Sequence, residues 1–168
     1  YCSNIAPSTS YGVNMLTKDL AGPQIAEAKA QADIVLVGAH WCRENTHTET
    51  ATQREWAQYF ADQGVDIVIG TGPHWLQPVE KFARSGGGET IVWHSLGNFL
   101  NSQVELEGLI SGIAVMDIDI ASKTVTKLSF LPTYMHYEWT AAQAAASDYL
   151  ARKTLKLYPL DQAAEPLS

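Results

Sequence analysis

The sequence predicts a mixed α/β chain in which parallel strands give way to antiparallel hairpins. Two apolar runs rich in β-branched residues, Asp33-Ile34-Val35-Leu36-Val37-Gly38 and Asp66-Ile67-Val68-Ile69-Gly70, flank one amphipathic helical segment. Strand, helix, strand with a short return implies a right-handed parallel crossover. Two later stretches alternate apolar and polar residues around short turns, the signature of hairpins.

Taken in order, Ile5 to Met15 is rich in Ser, Pro, Asn and Gly and reads as loop. Gly22-Pro23 opens a helix, because proline is tolerated in the first turn, and Ile25, Ala28 and Ala32 recur at helical spacing. The Ile34–Val37 run reads as a buried strand. A polar loop from His40 to Thr48 leads to a second helix. There Thr50 and Gln53 form a capping-box pair, Trp56 and Phe60 share a face, and Gly64 is the stop. After the Asp66–Gly70 strand, Val79–Ala83 and Glu89–Trp93 flank Arg84-Ser85-Gly86-Gly87-Gly88 as a hairpin. A second hairpin pairs Gly112–Ile120 with Thr124–Leu131, and Pro132 is expected to end that strand. The alanine-rich tail, residues 140–156, is expected to be helical. Residues 1–168 are read as one domain.

Composition bounds the function. Of 168 residues, 46% are hydrophobic and 17% charged, which suits a folded core rather than a disordered segment. The apolar runs are strand-length, short of the roughly 20 residues a spanning helix needs. Eleven Lys and Arg against 18 Asp and Glu give a formal charge of −7, with a pI near 5.1. Nucleic acid is excluded as a partner on that balance. Two cysteines, Cys2 and Cys42, are too few for a disulfide framework or a thiolate zinc site, and their pairing stays open. The chain begins at Tyr1 without a signal segment and reads as a mature, trimmed or excised piece of something longer.

The candidate chemistry lies at strand ends, where ligands of open α/β sheets gather. His40 and His74 lie just beyond the two parallel strands, and neutral imidazole is a common ligand for zinc, iron and manganese. The alternative is a pair of ordinary loop histidines. Glu44, four residues after His40, could ligate a metal, orient a histidine or act as a general base, or could be a surface glutamate. Arg43 could meet an anionic substrate group or pair with Glu44. Asn98, in Ser95-Leu96-Gly97-Asn98-Phe99, could hold its loop or contact a ligand, and His94 could face the site or turn away. His47 and His136 read as exposed loop and strand end. Trp41 and Trp75 pack the crevice walls or offer a ring face to a ligand. No hydrolase serine elbow, P-loop or GxGxxG occurs.

Three strings, His40-Trp41-Cys42-Arg43-Glu44, Gly70-Thr71-Gly72-Pro73-His74-Trp75-Leu76-Gln77-Pro78 and Ser95-Leu96-Gly97-Asn98-Phe99, together resemble the bacterial capsule synthesis protein CapA family, the poly-γ-glutamate capsule biosynthesis family. Its patterns are HWG-x-E-Y, G-H-H-P-H followed by a hydrophobic Q-P segment, and SLGNF, in the same order. The likeness covers about residues 1–133. It implies the C-terminal half of a metallophosphatase-like α/β sandwich, related to calcineurin-like enzymes with a two-metal site at strand ends. By this resemblance His40 and His74 are metal ligands for manganese, iron or zinc. Glu44 and Asn98 are implied as site residues; with the residue-level reading above, His40 and Glu44 are the catalytic candidates, and Arg43, His94 and Asn98 the substrate-binding ones. It also implies an extracytoplasmic, envelope-associated protein handling an anionic capsule polymer or its precursor alongside other subunits of the capsule machinery.

The sequence departs from the pattern at places that bear on the site. Gly72 stands where the family carries a histidine, Cys42 replaces a glycine and Asn45 a tyrosine. The family's early Asp and Asn-His metal motifs have no counterpart here, so the metal site is expected to be incomplete and this chain alone inactive. Two readings follow: the parent is a metal-dependent hydrolase, or it is a non-catalytic polymer-binding or assembly subunit. A half-sandwich exposes apolar surface, so the chain is expected to dimerise or to associate with a separate N-terminal segment.

Overall fold

The computed structural model describes residues 15–41, 43–152 and 154–164. The proposed loop over residues 5–14 and both cysteines lie outside them. Helix α1 spans Lys18–Gln31, capped by the Thr17 side chain, which accepts from the Leu20 N–H. It therefore starts five residues before Pro23, which lies inside the helix rather than opening it. A good N-cap one turn earlier outweighs the single hydrogen bond that proline removes. Ala21 and Ile25 are its buried contacts.

Strand β1 is Leu36–His40, displaced from the expected run toward its C-terminal end. Val35 stays tied to the next strand: its N–H donates to Asp66 Oδ2 at 2.8 Å, and its carbonyl accepts from the Asp66 and Ile67 amides. Helix α2, Ala51–Asp62, carries the expected capping box between Thr50 and Gln53, and the chain turns at Gly64 with φ +76. Strand β2, Ile67–Thr71, runs parallel to β1, with Leu36 opposite Ile67 and His40 opposite Thr71. Strands β3, Leu76–Ala83, and β4, Glu89–Leu96, form the first hairpin, and β4 also pairs parallel to β2. The sheet order is β1-β2-β4-β3. One face packs α1 and α2 through Ile25, Ala57, Phe60, Val68, Phe82 and Val92. As an edge strand β1 is not fully buried: Leu36 is 53% exposed, which corrects the expectation of a buried strand.

The short helix α3, Leu106–Leu109, leads into a second, antiparallel sheet of β5 (Ile110–Asp119), β6 (Thr124–His136) and β7 (Lys156–Pro159) in the order β5-β6-β7. Pro132 does not end β6; it pairs opposite Gly112. Pairing to β7 begins only at Thr133, so Pro132 sits where β6 has a partner on one side, a position that tolerates a missing N–H. The tail is not one helix. Helix α4 covers only Ala141–Ala145, and Ser147 adopts φ +52 before a 3-10 turn at Tyr149–Ala151. Alanine favours helix locally, but α4 buries no residue, so nothing in the packing extends it. The parallel-then-antiparallel α/β class read from the sequence is the architecture found.

Candidate functional site

His40 is the last residue of β1, and His74 follows β2 by three residues, so the C-terminal ends of two paired parallel strands carry both imidazoles. Their closeness is electrostatic as well as topological. Burial lowers the His40 pKa, His74 lowers it further, and Glu44 acts in the opposite sense. Each ring is held through Nδ1. His40 Nδ1 lies 3.2 Å from Thr71 Oγ1, the residue opposite it in the β1–β2 register. His74 Nδ1 lies 2.8 Å from Asn98 Oδ1. The Asn98 amide nitrogen donates to Gln103 Oε1 at 3.2 Å and to the Gly108 carbonyl at 3.3 Å. This fixes the amide with its oxygen toward His74. An amide oxygen only accepts, so His74 Nδ1–H is the donor in this bond and Nε2 is the ring nitrogen left for a ligand.

The loops that hold this end are stitched to one another. The Asn45 amide donates to the Pro73 carbonyl at 2.8 Å, and the Trp41 amide to the Thr71 carbonyl at 2.8 Å. The buried Gln77 amide donates to the Thr46 and Thr48 carbonyls and accepts from Gln53 at 2.7 Å, which ties the His40–Thr48 loop to α2. Trp41 is a wall residue, 4% exposed, and its indole N–H donates to the His94 carbonyl at 2.7 Å across Gly70. A Cβ on Gly70 would stand 2.1 Å from both groups of that bond. Trp75 stacks obliquely against His47, with ring centroids 4.9 Å apart.

Two backbone positions at this end are unusual. His74 has φ +65, a left-handed conformation rarely taken by a side-chain-bearing residue. Gly72 has φ +102, and a Cβ there would lie 2.2 Å from the Trp41 carbonyl oxygen and 3.2 Å from His40 Nε2. The family histidine replaced by Gly72 therefore has no room in this backbone.

The remaining candidates separate. Arg43 and Glu44 are exposed on the loop after β1. His94 does not join the others: it is fully buried, with Nε2 2.9 Å from Glu80 Oε2 and its ring edge-on to Phe82. Glu80 is bound in turn by Arg54 at 2.6 Å. A side chain without exposure meets no substrate in this structure, so the substrate-contact expectation for His94 is corrected. It belongs to the packing between β4, β3 and α2. Thr71, Gln103 and the Gly108 carbonyl support the site, though none of them is a candidate from the sequence alone. Thr71 was detectable, since it falls opposite His40 once the parallel register is fixed.

Among the described residues no group of three or more His, Cys, Asp or Glu side chains is arranged to hold a metal. Two imidazoles fall short of the three or four protein ligands of a zinc site, so these residues alone do not fit a complete centre.

The family model described as bacterial capsule synthesis protein PGA_cap matches residues 3–103 of this chain. The chain belongs to that family. The PGA biosynthesis protein CapA of Bacillus subtilis (strain 168) is 37% identical over 98 residues, covering 58% of this chain and 24% of the relative. The capsule biosynthesis protein CapA of Bacillus anthracis is 32% identical over 103 residues, covering 59% and 24%. The chain thus spans about a quarter of the length of these relatives. Every strand-end residue described above falls within the matched segment, apart from the Gly108 carbonyl. Among the described residues no helix is long and apolar enough to cross a membrane.

Proposed function

We propose that this chain is part of a capsule-biosynthesis protein of the CapA kind, acting at the cell envelope outside the cytoplasm on an anionic capsule polymer or its precursor. Within it, His40 and His74 contribute imidazole ligands to a metallophosphatase-like divalent-metal centre whose other ligands lie outside the described residues. The observation that carries this reading is the pair of imidazoles at the ends of adjacent parallel strands, with His74 locked by Asn98 so that Nε2 is the coordinating atom. Bound manganese, iron or zinc would supply Lewis-acid polarisation of an ester or phosphoryl oxygen. Glu44, close enough to influence His40, is the adjacent carboxylate for orienting that ring or accepting a proton. Arg43, exposed on the same loop, supplies a positive charge for the polymer.

A second reading, a non-catalytic polymer-binding or assembly subunit, is favoured by one observation: Gly72 leaves no room for the missing ligand. Elemental analysis of the purified protein and of a His40→Ala/His74→Ala variant, with hydrolysis of a generic phosphodiester, separates the two. Stoichiometric metal and turnover, both lost in the variant, support the hydrolase. A metal-free, inert protein removes it and leaves the binding role.

Apolar side chains stand exposed on both faces of the β5–β6 hairpin: Ile113 and Val115 on one, Leu128 and Phe130 on the other. These support association with a second copy or with a separate N-terminal segment. A clean monomer by light scattering at high protein concentration would contradict that association.

A further inference from the structure

A second concavity lies outside the segment matched by the capsule family. It has a volume of about 570 Å³ and is lined by Tyr134, His136, Tyr137, Trp139, Ser147 and Tyr149, with Leu109 among its apolar contacts. That volume is in the usual range for small-molecule sites. Trp139 makes its corner: the Tyr149 ring lies 5.7 Å away, tilted by 38°, and the Tyr137 ring 6.0 Å away, edge-on. The Trp139 indole N–H is buried with no hydrogen-bond partner. Buried donors are nearly always satisfied, so this one lacks an acceptor that the described residues do not supply.

Arg152 and Glu138 are the charged side chains beside the concavity. Arg152 packs its guanidinium against Tyr137, Trp139 and Tyr149, 4.5, 5.1 and 4.9 Å from the ring centroids, and donates to the Ser102 and Gln103 carbonyls. His136 Nε2 lies 3.0 Å from Glu138. Among the described lining residues there is no Lys or Arg. Arg152 lies against those rings but is not itself among the lining residues. A ligand with one apolar face and a rim of neutral hydroxyls matches both the ring faces and the orphan N–H.

We propose that this pocket binds a neutral glycan, with a pyranose ring laid against Trp139 and Tyr149 and a hydroxyl oxygen accepting from Trp139 Nε1–H. Because Nε1 is sealed from solvent, the ligand reaches it as the rim opens. Tyr149 is 55% exposed and follows Ser147, which sits at φ +52, and both line the concavity on the side of the segment between α4 and the 3-10 turn.

The test titrates the whole chain with maltohexaose, cellohexaose and chitohexaose while following the indole N–H resonance that disappears in Trp139→Phe. A saturable shift of that resonance with at least one of the three is expected. Binding should weaken about tenfold in Trp139→Phe, which keeps a ring and loses the donor, and similarly in Tyr149→Ala, a substitution at an exposed residue. Poly-γ-glutamate should leave the resonance unmoved. The proposal is overturned if none of the three sugars gives a saturable shift, if both variants bind as well as the parent, or if poly-γ-glutamate moves the same resonance.

Discussion

Placing the missing family histidine at Gly72 is the most informative perturbation, because it asks whether the site lacks a ligand or lacks the room for one. The Gly72 backbone sits at φ +102, and any Cβ there meets the Trp41 carbonyl oxygen at 2.2 Å. The Trp41 backbone cannot yield easily, since its amide is bonded to Thr71 and its ring is buried beneath Gly70. Forcing a side-chain-bearing residue into that region costs about 1–3 kcal/mol, and an unrelieved overpacking contact costs a similar amount. Gly72→His and Gly72→Ala should therefore each destabilise by about 3 kcal/mol. For a chain of this size that lowers Tm by roughly 6–12 °C. Gly38→Ala is the control: no atom lies within 4 Å of its Cβ, and its φ is not in the left-handed range. It should hold or slightly raise Tm. Thermal melts followed by circular dichroism read all three. If Gly72→His melts with the parent, the steric argument fails. If it also gains tight metal binding, the gap at Gly72 is a missing ligand and nothing more.

Other consequences concern the held histidines. In Asn98→Ala the acceptor on His74 Nδ1 is gone; nitrogen NMR should show His74 changing from one protonated tautomer to a mixture, and an unchanged tautomer would mean Asn98 does not set it. Burial lowers the His94 pKa from 6.5, against the opposing pull of Glu80, and His40 is lowered as well. The unfolded chain therefore takes up these protons first as pH falls. The stabilisation from the neutral rings is complete above pH 6.5 and is lost as pH drops toward their lowered folded values, at no more than about 1.4 kcal/mol per pH unit per group. Glu80, lowered mainly by its bond to Arg54, extends the loss below pH 4.5. His94→Gln should make the fall of Tm between pH 7 and 5 shallower; an unaltered slope would place the titrating group elsewhere.

The parallel core was legible because local signals agreed. Each strand is a β-branched run opened by an aspartate, and Thr50 with Gln53 marked the helix between them. The strand-end location of His40 and His74 followed directly. What the sequence hid depended on tertiary neighbours. His94 looked like a site residue because it precedes the Asn98 turn, yet strand alternation turns it into the α2 face beside Phe82. The alanine tail had helical propensity but nothing to bury, and the Arg152 contacts with Tyr137, Trp139 and Tyr149 shaped it instead. Pro132 read as a stop because sequence alone does not show which edge of a strand is unpaired.

The central claim is that His40 and His74 act as one pair of metal-facing imidazoles. It is tested most directly by titrating the protein with Zn²⁺ while following its five histidine rings by NMR. His40 and His74 should respond together at one saturating equivalent, through Nε2 of His74, and the response should vanish in His40→Ala/His74→Ala. Zinc that perturbs the two histidines independently, leaves both untouched, or binds the double variant as well as the parent would contradict it.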